Sequence, residues 1–148
     1  MSLPKTKKKT NITISQLKKK ADTVFAKYIR YRDSELTPMG WVGRCITCDH
    51  YYPFSQIQCG HFQSRRFNST RFDEENCNGQ CVGCNVFRYG EQYKYAKNLD
   101  LKYGVGTADK LAEKAKAVHK LTRDELLEII QSSTEQIKEY EGGLHDRK

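Results

Sequence analysis

Apolar residues recur along this chain at two spacings, and the change from one to the other marks its organisation. Over residues 13–32, Leu17, Ala21, Val24, Phe25, Tyr28 and Ile29 fall at intervals that place them on one helical face. Thr13 or Ser15 supplies an N-cap hydroxyl, and Pro38 and Gly40 break the chain afterwards. Between residues 41 and 62 the pattern shortens to strand-like pieces, Trp41-Val42, Tyr51-Tyr52 and Ile57 to Phe62. Residues 63–80, rich in Arg, Asn and Ser, read as loop. A helix is predicted from Asn85 to Tyr103, weakened at Gly90 and ended by Gly104 and Gly106. Thr107 can cap a helix running to about His119. Thr122-Arg123-Asp124-Glu125 has the capping-box pattern, ahead of an apolar face of Leu126, Ile129, Ile130 and Ile137 that Gly142-Gly143 stop.

This alternation predicts an α+β chain in four segments: a basic tail over 1–12, a helical segment over 13–40, a core over 41–104 and a helical segment over 105–148. The length of 148 residues suits one domain with a helical arm. An apolar content of 37% is low for a compact globule, and a formal net charge of +8 points to a polyanionic partner. Nucleic acid fits better than membrane, because no apolar stretch approaches bilayer length. The start, Met1-Ser2-Leu3-Pro4, shows no apolar signal region, so a cytoplasmic location is expected. Lys5, Lys7, Lys8 and Lys9 form a charge run expected to be flexible, solvated or in contact with phosphate.

Six cysteines change the picture most. Cys45-Ile-Thr-Cys48 and Cys81-Val-Gly-Cys84 are two knuckles whose spacing predicts one tetrahedral zinc ion. Four thiolates leave no position for water, so this zinc is expected to be structural. His50 and Cys77 are alternative ligands that would spoil the paired spacing. Cys59 and Cys77 fall outside the knuckles and read as reduced core residues.

His61 ends a predicted strand, and Asn85 follows the second knuckle directly. Cleaving a phosphodiester requires a base for water and a hard cation for the charge that develops. A neutral imidazole suits the first task, and an amide oxygen suits Mg2+ or Mn2+. His61 as base and Asn85 as ligand of the catalytic cation therefore make a coherent pair.

These residues carry a resemblance. His61, Asn76 and Cys81-x-x-Cys84-Asn85 resemble the strand–strand–helix finger of the HNH (His-Me finger) nucleases, with Asn85 where a final histidine is usual. Asparagine after a four-cysteine zinc site is also similar to the phage junction resolvase endonuclease VII. Cys59-Gly60-His61-Phe62-x-Ser64-Arg65, Arg71-Phe72-Asp73-x-x-Asn76 and Gln80-Cys81-x-x-Cys84-Asn85 resemble the signature of the phage recombination family NinG, also called Rap. Gly90, Tyr95 and Leu99 continue it. The resemblance covers residues 15–131, with its motif core at 45–99. It implies a zinc-stabilised ββα-metal core with flanking N- and C-terminal helices. It further implies a structure-specific, metal-dependent endonuclease acting on branched DNA such as Holliday junctions or D-loops. Asn76 would then orient the histidine or its loop. Where many such sites carry an acidic metal ligand, this chain has Gly60; Asp73, or Glu91 of the following helix, would then supply the carboxylate.

Arg65, Arg66, Arg71 and Arg88 flank these positions and are candidate DNA contacts. Tyr51, Tyr52, Phe62 and Phe67 are expected in the core more than in base stacking. The alternative function is a zinc-stabilised nucleic-acid-binding module without catalysis, and a third class is a redox or zinc-storage protein. A homodimer is possible through the helices at 13–32 and 122–140, unless their apolar stripes pack within one chain.

Overall fold

A computed structural model describes residues 11–143. The basic tail expected over 1–12 lies outside the described residues except for Asn11 and Ile12, and 144–148 lie outside them too. The first helix, α1 (Ile14–Arg32), begins at a capping box: the Thr13 hydroxyl accepts from the Gln16 N–H at 3.2 Å, and the Gln16 side chain accepts from the Thr13 N–H at 2.9 Å. Its predicted stripe is buried at Leu17, Ala21, Phe25, Tyr28 and Ile29.

Three antiparallel strands follow, β1 (Ser34–Thr37), β2 (Gly40–Arg44) and β3 (Tyr51–Pro53), in that order across the sheet. β1 corrects the reading of 13–40 as helical: Ser-Glu-Leu-Thr has no apolar alternation, and the Thr37–Gly40 hairpin turn makes the pairing. β4 (Ile57–His61) then pairs with β5 (Cys77–Cys81) in a separate antiparallel ribbon, with Ile57 opposite Cys81, Gln58 opposite Gln80, and His61 opposite Cys77.

β5 and the short α2 (Asn68–Arg71) correct the reading of 63–80 as loop. Cys-Asn-Gly-Gln-Cys offers no large apolar residue, yet all five are buried. Polar partners make this possible. Asn78 donates to the Glu75 carbonyl at 2.9 Å and accepts from Lys102 at 2.8 Å and the Tyr103 hydroxyl at 3.0 Å. The buried Asp33 carboxylate receives the Gly79 N–H at 2.7 Å.

The helix expected from Asn85 to Tyr103 is split. A π-helical turn at Gly83–Phe87 is followed by left-handed backbone at Tyr89 (φ 54), Gly90 (φ 86) and Glu91 (φ 49), and α3 starts only at Gln92 and runs to Tyr103. Left-handed residues cannot extend a right-handed helix. α4 (Thr107–Ala115) ends before His119, and α5 (Arg123–Gly142) starts at the predicted Thr122–Glu125 capping box.

The ribbon is covered on both faces. Cys77 and Cys59 face α1 with Phe25, Tyr28 and Phe72. On the other side the Tyr95 hydroxyl of α3 donates to the Gly60 carbonyl at 2.6 Å, and Phe62 packs on Tyr95. α1 and α5 pack together through Leu17, Ala21 and Leu126, and Tyr31 stacks on Tyr140 at 5.6 Å. The stripes weighed as a dimer interface are thus used inside one chain. Among the described residues, no helix is long and apolar enough to cross a membrane.

Candidate metal centre and the adjoining ribbon

Cys45 follows β2 and Cys48 lies in the turn before β3; Cys81 ends β5 and Cys84 lies in the π-helical turn. Their four sulfurs lie within 4.8 Å of one another, and Cys48 Sγ is 3.9 Å from Cys81 Sγ. Tetrahedral zinc with Zn–S bonds of about 2.3 Å places its sulfurs about 3.8 Å apart, whereas a disulfide needs about 2.05 Å. The quartet therefore fits a zinc ion. His50 is exposed and its side chain stays outside it; its backbone carbonyl accepts from the Cys45 N–H at 2.9 Å, and its backbone N–H supports Cys48.

The surroundings favour thiolate at Cys45 but oppose it at Cys84. Burial alone would raise the Cys45 thiol, but the Cys48 and Cys81 N–H groups and the Thr47 hydroxyl at 3.2 Å bring it down to about 7. Burial pushes Cys84 up to about 12, and its neighbouring thiols add to the shift. Four adjacent thiols cannot all ionise unaided, and a divalent cation removes that conflict. Arg88 Nη1 donates to Cys84 Sγ at 3.2 Å, and the Tyr52 hydroxyl lies 3.4 Å from Cys48 Sγ.

His61 and Asn85 do not meet. His61 shares the α1 face of β4 with Cys59 and contacts the Arg71 carbonyl through Nε2 at 3.0 Å. A carbonyl only accepts, so Nε2 carries the proton and Nδ1 keeps its lone pair. Burial holds the ring below the ordinary imidazole value, against the Arg71 carbonyl, so it is neutral at pH 7. Asn85 instead donates to Gln58 Oε1 at 2.8 Å. Gln58 and His61 stand an odd number of residues apart, so they point to opposite faces and are separated by about 10 Å of strand.

The Asn85 side of the ribbon gathers amides. Gln80, the cross-strand neighbour of Gln58, has a buried Oε1 with no hydrogen-bond partner, while its Nε2 donates to the Gly90 carbonyl at 2.9 Å. Buried carbonyls are almost always paired, so this oxygen can take a ligand. Gln58 Oε1 is taken by Asn85, which leaves Gln80 Oε1 and the Asn85 carbonyl as hard, neutral oxygens of the kind Mg2+ or Mn2+ accepts. No carboxylate can enter at position 60: a Cβ there would lie 2.8 Å from Gln80 Cβ.

The other candidates are mostly tied to structure. Asn76, fully buried, accepts from the Gln63 N–H at 2.7 Å and donates to the Gln63 and Thr70 carbonyls at 3.1 and 3.0 Å, so it pins the loop after His61 rather than the ring. Asp73 pairs with Lys114 and caps the Glu75 N–H at 2.9 Å. Arg71 is held by Asp22 and by the Arg65 carbonyl at 2.6 Å. Glu91 stands near Arg88 at 4.0 Å. Arg65 and Arg66 are exposed and can meet phosphate; Arg88 is exposed too, but one of its N–H groups is held by Cys84 Sγ.

Phe62 is buried and Tyr52 and Phe67 are half-buried, whereas Tyr51 is exposed. The sequence reading passed over a second aromatic group. Phe87, Tyr89 and Tyr93 are 75%, 91% and 76% exposed, around Arg88 and beside the metal centre. Aromatic and basic residues alternating at Phe87-Arg88-Tyr89 were the available signal.

Fold and site together define a small α+β protein whose two sheets are joined by a four-cysteine cluster that can hold a metal such as zinc. The chain belongs to the NinG family, matching the family described as Bacteriophage Lambda NinG protein over residues 3–142. It is 28% identical over 122 residues to Protein ninG of Salmonella phage P22, covering 82% of this chain and 56% of that protein. The chain thus spans little more than half the length of this curated relative. No solved structure matches it.

Proposed function

We propose that this protein acts on DNA in phage recombination, as a metal-dependent endonuclease for branched intermediates such as Holliday junctions or D-loops. The observation that carries this reading is the Asn85–Gln58 amide pair beside the cysteine quartet, with the neighbouring Gln80 Oε1 buried and unpaired. The Asn85 and Gln80 oxygens would hold Mg2+ or Mn2+, which when bound offsets the negative charge growing on the phosphate and leaving oxygen. In this reading His61 takes the proton from the attacking water through its free Nδ1, and because its ring and the Asn85 amides lie on opposite faces of β4, DNA binding must remodel the ribbon to bring both to one phosphate. Arg65, Arg66 and Arg88 hold flanking phosphates. Phe87, Tyr89 and Tyr93 stack on bases unpaired at a branch point.

A second reading, DNA binding without cleavage, is favoured by the opposite faces of His61 and Asn85. One experiment separates them: a labelled four-way junction is incubated with Mg2+ or Mn2+ and followed for both gel shift and cleavage. The nuclease reading expects cleavage that falls by roughly 100- to 10,000-fold in His61→Ala, with binding retained. Cleavage equal in both would remove His61 from the chemistry. Tight binding with no cleavage in either cation selects the second reading.

A further inference from the structure

Cys59, His61 and Cys77 carry ligand chemistry that the cysteine quartet does not use. Cys59 and His61 stand two apart on β4 and so share a face, and Cys77 lies directly across from His61. One ligand atom from each lies within 4.8 Å of the other two. Cys77 is fully buried, Cys59 and His61 are half-buried, and neither cysteine is in a disulfide. Phe25, Tyr28 and Phe72 wall the group on the α1 side.

Two features go beyond ordinary core cysteines. The first is a histidine set among them against an apolar wall. The second is its tether: Nε2 donates to the Arg71 carbonyl at 3.0 Å, and the same carbonyl lies 3.4 Å from Cys77 Sγ. A backbone carbonyl that fixes ring and tautomer, leaving the other nitrogen bare, is the usual support of a metal-ligating histidine. Closing the group from 4.8 Å to the spacing of about 3.8 Å around tetrahedral zinc takes about 1 Å of side-chain movement at most.

We propose that Cys59, Cys77 and His61 form a second metal site, taking a soft divalent cation of the zinc class through two thiolates and one imidazole nitrogen. Binding releases two thiol protons to solvent. Two sulfur ligands select Zn2+ or Co2+ over Mg2+ and Ca2+. Three protein ligands leave a fourth position open, unlike the closed four-thiolate quartet. The site lies on the α1 face of the ribbon, away from the Asn85 amides, and it stands whether or not the chain cuts DNA. If the chain does cut, an occupied site removes the free imidazole nitrogen, so zinc beyond the first equivalent inhibits cleavage.

Titration of the metal-stripped, reduced chain with Co2+ tests this directly. Two equivalents are expected, with sulfur-to-cobalt absorption of a four-thiolate centre and a weaker contribution from a two-thiolate centre. Cys59→Ser and the Cys59→Ala/Cys77→Ala double variant should each bind one equivalent, with the four-thiolate spectrum intact and the circular dichroism unchanged. A wild-type endpoint of one equivalent with only the four-thiolate spectrum overturns the proposal. So does a Cys59–Cys77 disulfide in the freshly isolated chain. If the variants fail to fold, elemental analysis of the wild type decides: two zinc ions per chain support the site, and one removes it. Failure of cleavage leaves these readouts unaffected.

Discussion

At one end of the β4–β5 ribbon, Cys81 joins Cys45, Cys48 and Cys84; at the other, Cys77 faces His61 near Cys59. The first group is built from two tight turns, each bringing its own pair of sulfurs together, so strand pairing only has to bring pair to pair. The second owes its existence to register. A slip of one residue between β4 and β5 would turn Cys77 to the opposite face and disperse the group. One cluster, once metallated, is therefore a cause of the fold, and the other, where we propose a second site, is a consequence of it.

The largest effect should come from breaking the cause. Chelation, or Cys81→Ala, removes a metal whose apparent binding free energy in small zinc domains is roughly 10–16 kcal/mol. The expected result is loss of cooperative thermal unfolding and of near-ultraviolet dichroism, restored by zinc in the chelated wild type but not in the variant. Cys59→Ser should keep the cooperative transition. Equal damage from the two would erase the distinction between the centres.

Next in size is the residue that ties the middle of the ribbon to α1. Asp33 accepts from Gly79 N–H at 2.7 Å while pairing with Arg32 at 2.9 Å and Lys102 at 3.1 Å. Burial alone would raise its carboxyl, but Arg32, then Lys102 and the Gly79 N–H, outweigh burial and hold it below the usual 3.8. Asp33→Asn leaves two cations without their counter-charge and should destabilise by about 3 kcal/mol at pH 7. Because the folded value is depressed, the carboxylate's contribution is fully present above the unfolded value and lost as pH falls through the folded one. The difference between wild type and variant in denaturant midpoint should therefore shrink below about pH 4. A constant difference down to pH 2 would mean that the charge is not what matters.

Gly60→Ala probes the same ribbon from its α3 face. The added Cβ would meet Gln80 Cβ at 2.8 Å, so a loss of about 1–3 kcal/mol is expected from overpacking. Combining it with Gln80→Ala should return part of that loss in a double-mutant cycle. No recovery would place the strain elsewhere.

What could be read from the sequence follows the same division. The N-cap of α1, which falls on Thr13 of the two candidates, the Thr122 capping box, the α1 stripe and the quartet are local patterns that lie within the spans their spacing marked. β5 was hidden because Asn78 and Gln80 are buried by hydrogen bonding, a property no hydropathy pattern displays. The pairing of His61 with Asn85 was drawn from order along the chain. Strand alternation then placed His61 with two cysteines and Asn85 with Gln58. Position 60 was noted as lacking a carboxylate, but the Gln80 side chain that excludes one comes from a strand the pattern did not show.

The smallest effect on stability, and a separate one on function, belongs to the surface beside the quartet. Phe87 and Tyr89 lie on the turn that the metal centre fixes, just after Cys84, and both rings stand in solvent. Removing an exposed ring changes little packing, so Phe87→Ala and Tyr89→Ala should each shift stability by less than about 0.5 kcal/mol. If the rings stack on unpaired bases, each variant should weaken binding to a four-way junction by about 1 kcal/mol, or roughly 5-fold. Intact duplex has no bases to offer them and should be bound as before. The competing account is that Arg88 alone makes this surface useful, through phosphate. Arg88→Gln should then weaken junction and duplex alike and flatten the salt dependence of both. Ring variants that lose affinity for both DNA forms equally would favour that account. A loss confined to the junction would make the surface fixed by the quartet a reader of branched structure.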